Sequence, residues 1–478
     1  MAMGRRGAEQ APLFVTHQQL RALGGHPFYA ALERVLQQEG FDAFVEARCA
    51  PFYAARMGRP SLAPGVYFRC LLIGYFEGLD SERGIAWRVA DSLSLRRFLG
   101  LALDVAPPDH STLSRTRRLV DLDTHGEVFT WILAVLASAG LVKGQTVGVD
   151  ATTLEANAAL RSIVRREDGQ SYEAFLTALA QASGIATPTR AQLARLDRRR
   201  KKKGTNAEWV NPHDPDAQIA KMKDGRTHLA HKQEQAVDLD TGAVLAVTLT
   251  GGVVGDTTTL PPTLAAATAN LATVRAQTDA VTAARIAASP QGVVADKGYH
   301  SNATLVALTA AGQRSYIAEP ERGRRDWTDK ATEREAVYAN RRRIRGAHGK
   351  ALLRSRGELL ERPFAHALET GGMRRTHLRR HGNILKRLLV HLGGLNLGLL
   401  MRTRFGVGTP RSLQGRPDLV ARVLSVLWRL WDAVVLVWQR RHRPRTTIEV
   451  YAVHRRNRRA VGADRVAPAA IAASATGC

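Results

Sequence analysis

The stretch that most constrains this chain is Gln145–Asn157, QTVGVDATTLEAN. Its run Thr146-Val147-Gly148-Val149 is apolar and β-prone, and reads as a short buried strand ending on Asp150. An ionised carboxylate is costly to bury unless it is paired or binds a cation, so Asp150 is expected where the strand leaves the core. Taken alone, an acid there is better read as capping a turn after the strand. The pattern recurs at Gly292–Ser301, GVVADKGYHS, where Val293, Val294 and Ala295 lead into Asp296 and Gly298 is expected to turn the chain. Two acids closing two strands predict carboxylates converging on one point. Hard oxygen donors of this kind suit Mg²⁺.

The charge balance narrows the partner. Lys plus Arg total 69 against 43 Asp plus Glu, a formal net charge of +26. That surplus predicts a polyanionic partner, with nucleic acid first and a membrane surface second. Cys49, Cys70 and Cys478 are too few and too scattered for a disulfide framework or a zinc site, which fits a reducing cytoplasm. The opening MAMGRRGAEQAPLF lacks the apolar core of a signal peptide. Leu419–Trp438 is interrupted by Arg422, Arg429 and Asp432, so an amphipathic packing helix is expected there and no membrane span.

Along the chain, residues 1–140 read as an all-helical N-terminal domain for DNA-end binding or dimerisation, with apolar helical spacing through Leu20–Leu36, Phe41–Phe52 and 58–78. Asp109 or Ser111 is expected to cap a helix carrying Arg115, Arg117 and Arg118, in a pattern like a helix-turn-helix. Residues 158–226 form a polar insertion around the run Arg198–Lys203, whose Arg200, Lys201 and Lys202 are candidate phosphate contacts. Thr227–Asp238 and Ala243–Thr250 flank the turn Leu239-Asp240-Thr241-Gly242 and predict a hairpin. Gly255-Asp256-Thr257-Thr258-Thr259 then predicts a helix; Asp256 is a rival carboxylate for the site, but its place before three threonines favours a helix N-cap. The Asp296 strand, a helix over 302–312, a strand over 314–318 and helices over 330–402 follow. The simplest packing is an α/β domain over 141–404, with a mixed five-stranded sheet flanked by helices that sets the Asp150 and Asp296 strands side by side. Residues 405–478 are expected to be a helical extension with a disordered tail.

A third carboxylate is expected after the last strand. Residues 341–387 hold fourteen Lys and Arg but only Glu358, Glu361 and Glu369 as acids. In ELLERPFAH, Leu359, Leu360 and Phe364 would anchor a helical face while Glu361 points elsewhere. An ordinary ion pair with a neighbouring Arg is the competing reading of Glu361.

Several stretches together resemble the DDE transposases of bacterial insertion sequences, in the broad group containing families four and five. They are GRPSLAPGVYFRCLLIGYFEGLDSERGIAWRV, PPDHSTLSRTRRLVD, VGVDATTLEANAAL, GDTTTL, ADKGYHS, GELLERPFAH and GGMRRTHLRRHGNILKRLLVHLGGLNLGLLMR, in order over residues 58–402. The resemblance implies an RNase H-like catalytic domain binding two Mg²⁺ ions, with Mn²⁺ able to substitute. It places the acidic triad on Asp150, Asp296 and Glu361, separated by 146 and 65 residues. It implies cleavage at the element's terminal inverted repeats and transfer of the freed 3′-hydroxyl into target DNA, by a homodimer associated with the nucleoid. The alternative is a catalytically inactive DNA-binding protein of a defective element. Relatives often carry Tyr, Arg and Lys around the glutamate where this chain has Arg354, Gly357 and Leu368, so Arg356, Arg362, Arg374 and Arg375 are the candidate phosphate contacts here. His300 and His366 are expected to pack or to contact DNA, since this chemistry favours oxygen ligands.

Overall fold

The computed structural model describes residues 25–413 apart from 55–60, 103, 201–203, 223–224, 322 and 324. The expectations for Leu419–Trp438 and for the tail fall outside the described residues, as do Lys201 and Lys202.

Among the described residues, seven α-helices precede the first strand: α1 (Pro27–Gln38), α2 (Phe41–Cys49), α3 (Pro64–Glu77), α4 (Glu82–Ala90), α5 (Leu93–Phe98), α6 (His110–Leu119) and α7 (Leu122–Ser138). Their starts are written in the sequence. Ser81, Ser92, Asp109 and Asp121 each accept a hydrogen bond from a backbone N–H of the following turn, which satisfies donors a helix leaves open. From Tyr67 to Phe76, α3 is buried all round, as befits a helix at the centre of a bundle. Its Arg69 is buried as well, and holds Glu33 of α1 at 3.0 Å and Asp42 of α2 at 2.9 Å.

The sheet begins with β1 (Thr146–Glu155). Residues 158–226, expected as an irregular insertion, instead carry two short strands, two helices and a sheet strand. β2 (Val164–Arg165) pairs with β3 (Trp209–Val210), and α8 (Tyr172–Ala182) and α9 (Arg190–Arg199) lie between them. A small core of Ala156, Ile163, Trp209, Ala217 and Leu229 ties this segment to the sheet. Both helices carry local signals that the charge run overshadowed: Tyr172, Phe175, Leu176 and Leu179 recur at helical spacing behind the cap Ser171, and Thr189 with Gln192 forms a capping box. β4 (Gln218–Lys221) then pairs with the start of β5 (Thr227–Asp238), whose later residues pair with β6 (Val244–Gly251). Among the described residues the sheet therefore has six strands where five were expected. Beyond α10 (Asp256–Gln277) and α11 (Ala280–Ala284) come β7 (Gly292–Ala295), α12 (Asn302–Ala310) and β8 (Arg314–Ile317). The order is β4-β5-β1-β7-β8, with β6 also on β5; β1 runs antiparallel to β5 and parallel to β7, and β7 parallel to β8.

Three helices complete the described chain: α13 (Ala331–Arg345), α14 (Ala347–Ala365) with a π-helical turn over His366–Thr370, and α15 (His381–Phe405). α15 is apolar and long enough to cross a membrane, but 78% of its most apolar window is buried within the protein. Its Asn396 exchanges two hydrogen bonds of 2.9 Å with the backbone of Val244. One hydrophobic cluster runs from Phe28 of α1 through α3 and α7 to Val147, Val293 and Leu360.

Candidate active site at the end of the parallel strands

The parallel ladder pairs Thr146 with Gly292, Val147 with Val293 and Gly148 with Val294. Carried forward two residues, the same register sets Asp150 level with Asp296. Asp150 does not end its strand, contrary to expectation. β1 continues to Glu155 because β5 goes on pairing with its other edge. What stops near Asp150 is the neighbour β7, whose last residue is Ala295. Both aspartates are partly exposed. Asp296 folds back over the turn after β7, where its Oδ1 accepts from Gly298 N at 2.8 Å.

Gly298 is needed for a reason other than the expected sharp turn, since it is not among the positive-φ glycines. A Cβ there would lie 2.3 Å from Asp256 Oδ2 and 3.0 Å from Asp296 Oδ1. The missing side chain lets two carboxylates share one small space. Asp256 is not the N-cap of α10 either; Gly255 holds that position. Asp256 instead accepts from Lys232 Nζ of β5 at 2.5 Å.

Beneath these acids lies a buried polar network that no sequence motif singled out. Lys232 Nζ also donates to Val254 O and Thr259 Oγ1, both at 3.0 Å. The buried Glu234 accepts from Thr259 and Thr263 of α10 and, at 2.8 Å, from Tyr299 OH. Burial, and then the charge of Glu234, push the Tyr299 phenol far above its usual range, so it remains a donor. Tyr299 stands three residues after Asp296, so Glu234 pins the Asp296 turn to α10. The available signal was the run His231-Lys232-Gln233-Glu234-Gln235: a strand polar on both faces yet buried on both.

On the opposite sheet face, α14 packs over β1. A Cβ on Gly148 would meet Leu360 Cδ1 at 2.4 Å, so only glycine admits the helix so close to Asp150. One turn before Leu360, Arg356 Nη1 lies 3.3 Å from Asp150 Oδ2. Glu361, next to Leu360, is exposed and makes no hydrogen bond or ion pair among the described residues. No group of three or more His, Cys, Asp or Glu spaced to hold a metal occurs among the described residues. Asp150 and Asp296 nevertheless supply the hard, partly exposed oxygen donors that a Mg²⁺ ion takes.

The other predicted residues are scattered. Arg115 and Arg118 are exposed on α6, whereas Arg117 is buried against Glu82 and so is withdrawn from the solvent face. Arg200 pairs with Asp197 at 3.2 Å and stacks over Phe175 at 4.9 Å. Arg362 is exposed; Arg374 pairs with Glu369, and Arg375 lies 3.8 Å from Glu155. His300 is buried and His366 half-buried, the latter held below its usual range by burial and by Arg402 and Arg362.

Comparison with known families places this geometry in context. Residues 18–119 match the family model "Transposase domain (DUF772)" and residues 189–397 match "Transposase DDE domain". The second match includes Asp296 and Glu361 and begins after Asp150. No curated protein and no solved structure matches the chain. Taken together, the two matched domains and the mixed α/β fold support a transposase, an enzyme of DNA transposition.

Proposed function

We propose that the chain is an insertion-sequence DDE transposase whose RNase H-like domain cleaves the ends of its element and transfers the 3′-hydroxyl into target DNA. The observation that supports this reading is the parallel register of β1 and β7, which, carried two residues past its last pair Gly148–Val294, sets Asp150 level with Asp296 just beyond the end of β7. Asp150, Asp296 and Glu361 would hold divalent ions, Mg²⁺ or Mn²⁺. Two such ions supply electrostatic stabilisation of the attacking and leaving oxygens of an in-line displacement.

The chain's own residues supply position and charge. β1 and β7 fix the two aspartates, and the Tyr299–Glu234 bond keeps the Asp296 turn from swinging away. Arg356 balances the Asp150 charge when no other cation does so. Glu361 joins from α14 when that helix turns its exposed face toward the aspartates. The basic surplus serves double-stranded DNA, the inverted repeats and the target alike, bound by a homodimer in the nucleoid.

The test is Mg²⁺-dependent nicking of a labelled element end, beside gel-shift binding of the same DNA. Asp150→Asn, Asp296→Asn and Glu361→Gln are each expected to abolish nicking and to preserve binding. Glu358→Gln and Glu369→Gln are expected to nick normally. Nicking by Asp150→Asn would overturn the assignment, and binding without nicking by the unaltered chain would favour a DNA-binding protein alone.

A further inference from the structure

The segment between the π-helical turn and α15 has a feature that packing alone does not require. Arg380 has φ +68° and ψ 138°, a conformation that L side chains rarely adopt; besides Asp329 it is the only described non-glycine residue with positive φ. Strain of this kind persists only where the surroundings enforce it. Here the insertion enforces it. Asp214 Oδ1 accepts from Arg380 N at 2.9 Å, and Asp216 Oδ2 accepts from His381 N at 2.8 Å. Asp214 is itself fully buried and bonded to His231 Nε2 of β5 at 3.1 Å. Burial opposes its ionisation, but His231 and the Arg380 N–H hold its carboxyl below the usual range, so the clamp stays charged.

The rest of the segment is fastened to the end of β1. Glu155 N donates to Arg374 O at 3.4 Å, and Thr376 N to Glu155 O at 3.0 Å. Asn157 Nδ2 donates to His377 O at 3.0 Å, and Arg379 Nε to Asn157 O at 3.1 Å. Met373 and Thr376 are buried, while Arg374, Arg375, His377, Arg379 and Arg380 are exposed. Glu155 is five residues beyond Asp150 on one strand, about 16 Å at about 3.3 Å per residue. Phosphates of one DNA strand advance about 3.4 Å along the helix axis per step.

We propose that Arg375, Arg379 and Arg380 form a preorganised rail for a DNA phosphate backbone running away from Asp150, its shape set by Asp214 and Asp216 of the insertion. The strained Arg380 is kept because it aims a guanidinium outward while its backbone N–H stays in the clamp. This rests on the proposed reading of the chain as a DNA-cutting enzyme. It gives the insertion a task at the active site, independent of its Arg198–Lys203 run.

The experiment measures duplex DNA affinity against salt concentration for the full chain, with thermal melting alongside. Each phosphate contact contributes about 0.9 to the log–log slope. Arg380→Gly relieves the backbone, so its melting temperature should rise while its slope falls by about 1. Arg375→Ala with Arg379→Ala should lower the slope by about 2, with a small fall in melting temperature from the lost Arg379–Asn157 bond. Asp214→Asn keeps every arginine and should weaken binding by releasing the clamp. An Arg380→Gly variant that is more stable and binds with the unaltered slope overturns the rail, while nicking by the intact chain leaves the proposed function standing. Failure of the intact chain to bind any duplex overturns both.

Discussion

β5 sends alternate side chains to opposite faces of the sheet, and the two faces are finished differently. Toward α10, Lys232 and Glu234 have partners at every turn: Asp256, Thr259, Thr263, Tyr299 and the Val254 carbonyl. Toward α14, among the described residues, the buried Gln233 amide has no partner and the Gln235 amide bonds Leu360 O at 3.3 Å, its own carbonyl oxygen unpaired. Buried polar groups left unmade cost on the order of 1–3 kcal/mol each. The α10 face is therefore a closed network of bonded groups, and the α14 face is not. The contrast falls at the site itself, since the Asp296 turn is tied to the closed face and Arg356 and Glu361 ride on the other.

The sharpest break would come from Glu234→Leu. It removes the acceptor shared by the Thr259, Thr263 and Tyr299 hydroxyls, leaving the buried Tyr299 OH without its acceptor, and should cost about 2–4 kcal/mol in urea unfolding. A loss below about 1 kcal/mol would mean the network is not closed. Gly148→Ala, which drives a methyl into Leu360, should cost about 1–3 kcal/mol by overpacking and should impair nicking more than DNA binding, because it displaces α14 from Asp150. Equal loss of both would place the effect on the whole fold.

A buried polar group far from both faces provides a reference. His125 is held down to about 4, by burial first, with Tyr67 OH 3.1 Å from its Nε2. The unfolded chain takes up this proton near the ordinary value of about 6.5 and the folded chain only near 4. Stability contributed here is complete above pH 6.5 and is lost as pH falls from 6.5 toward 4. His125→Gln should flatten that decline by about 1–2 kcal/mol, read from urea midpoints at successive pH values. The smallest effect is expected of Gln233→Met, which removes two orphaned atoms at similar volume. It should be neutral or stabilising by about 1 kcal/mol; a clear loss would show that the α14 face is already satisfied.

Much of this was legible in the chain. The apolar runs before Asp150 and Asp296 gave the two parallel strands, and Leu239-Asp240-Thr241-Gly242 gave the hairpin, because those segments obey local periodicity and turn chemistry. The cap at Asp109 was legible for the same reason. What stayed hidden depends on distant partners. The length of β1 past Asp150 is set by β5 almost eighty residues later, and Gly298 matters because Asp256 arrives from another element. Arg117 looked like its neighbours on α6 until Glu82 was seen against it. The strand HKQEQ resembles a solvated segment unless α10 and α14 are known to cover it.

The central claim is that Asp150 and Asp296 share a divalent ion, with Glu361 joining them. Iron-directed hydroxyl-radical cleavage tests it most directly: Fe²⁺ replaces the native ion in the presence of element-end DNA, and the cut protein fragments are mapped. The account predicts cuts beside residues 150 and 296 and a third within α14 near 361, all lost in Asp150→Asn. Cuts at 150 and 296 that spare α14 would remove Glu361 from the site, and cuts confined to other acids, or unchanged in Asp150→Asn, would contradict the claim itself.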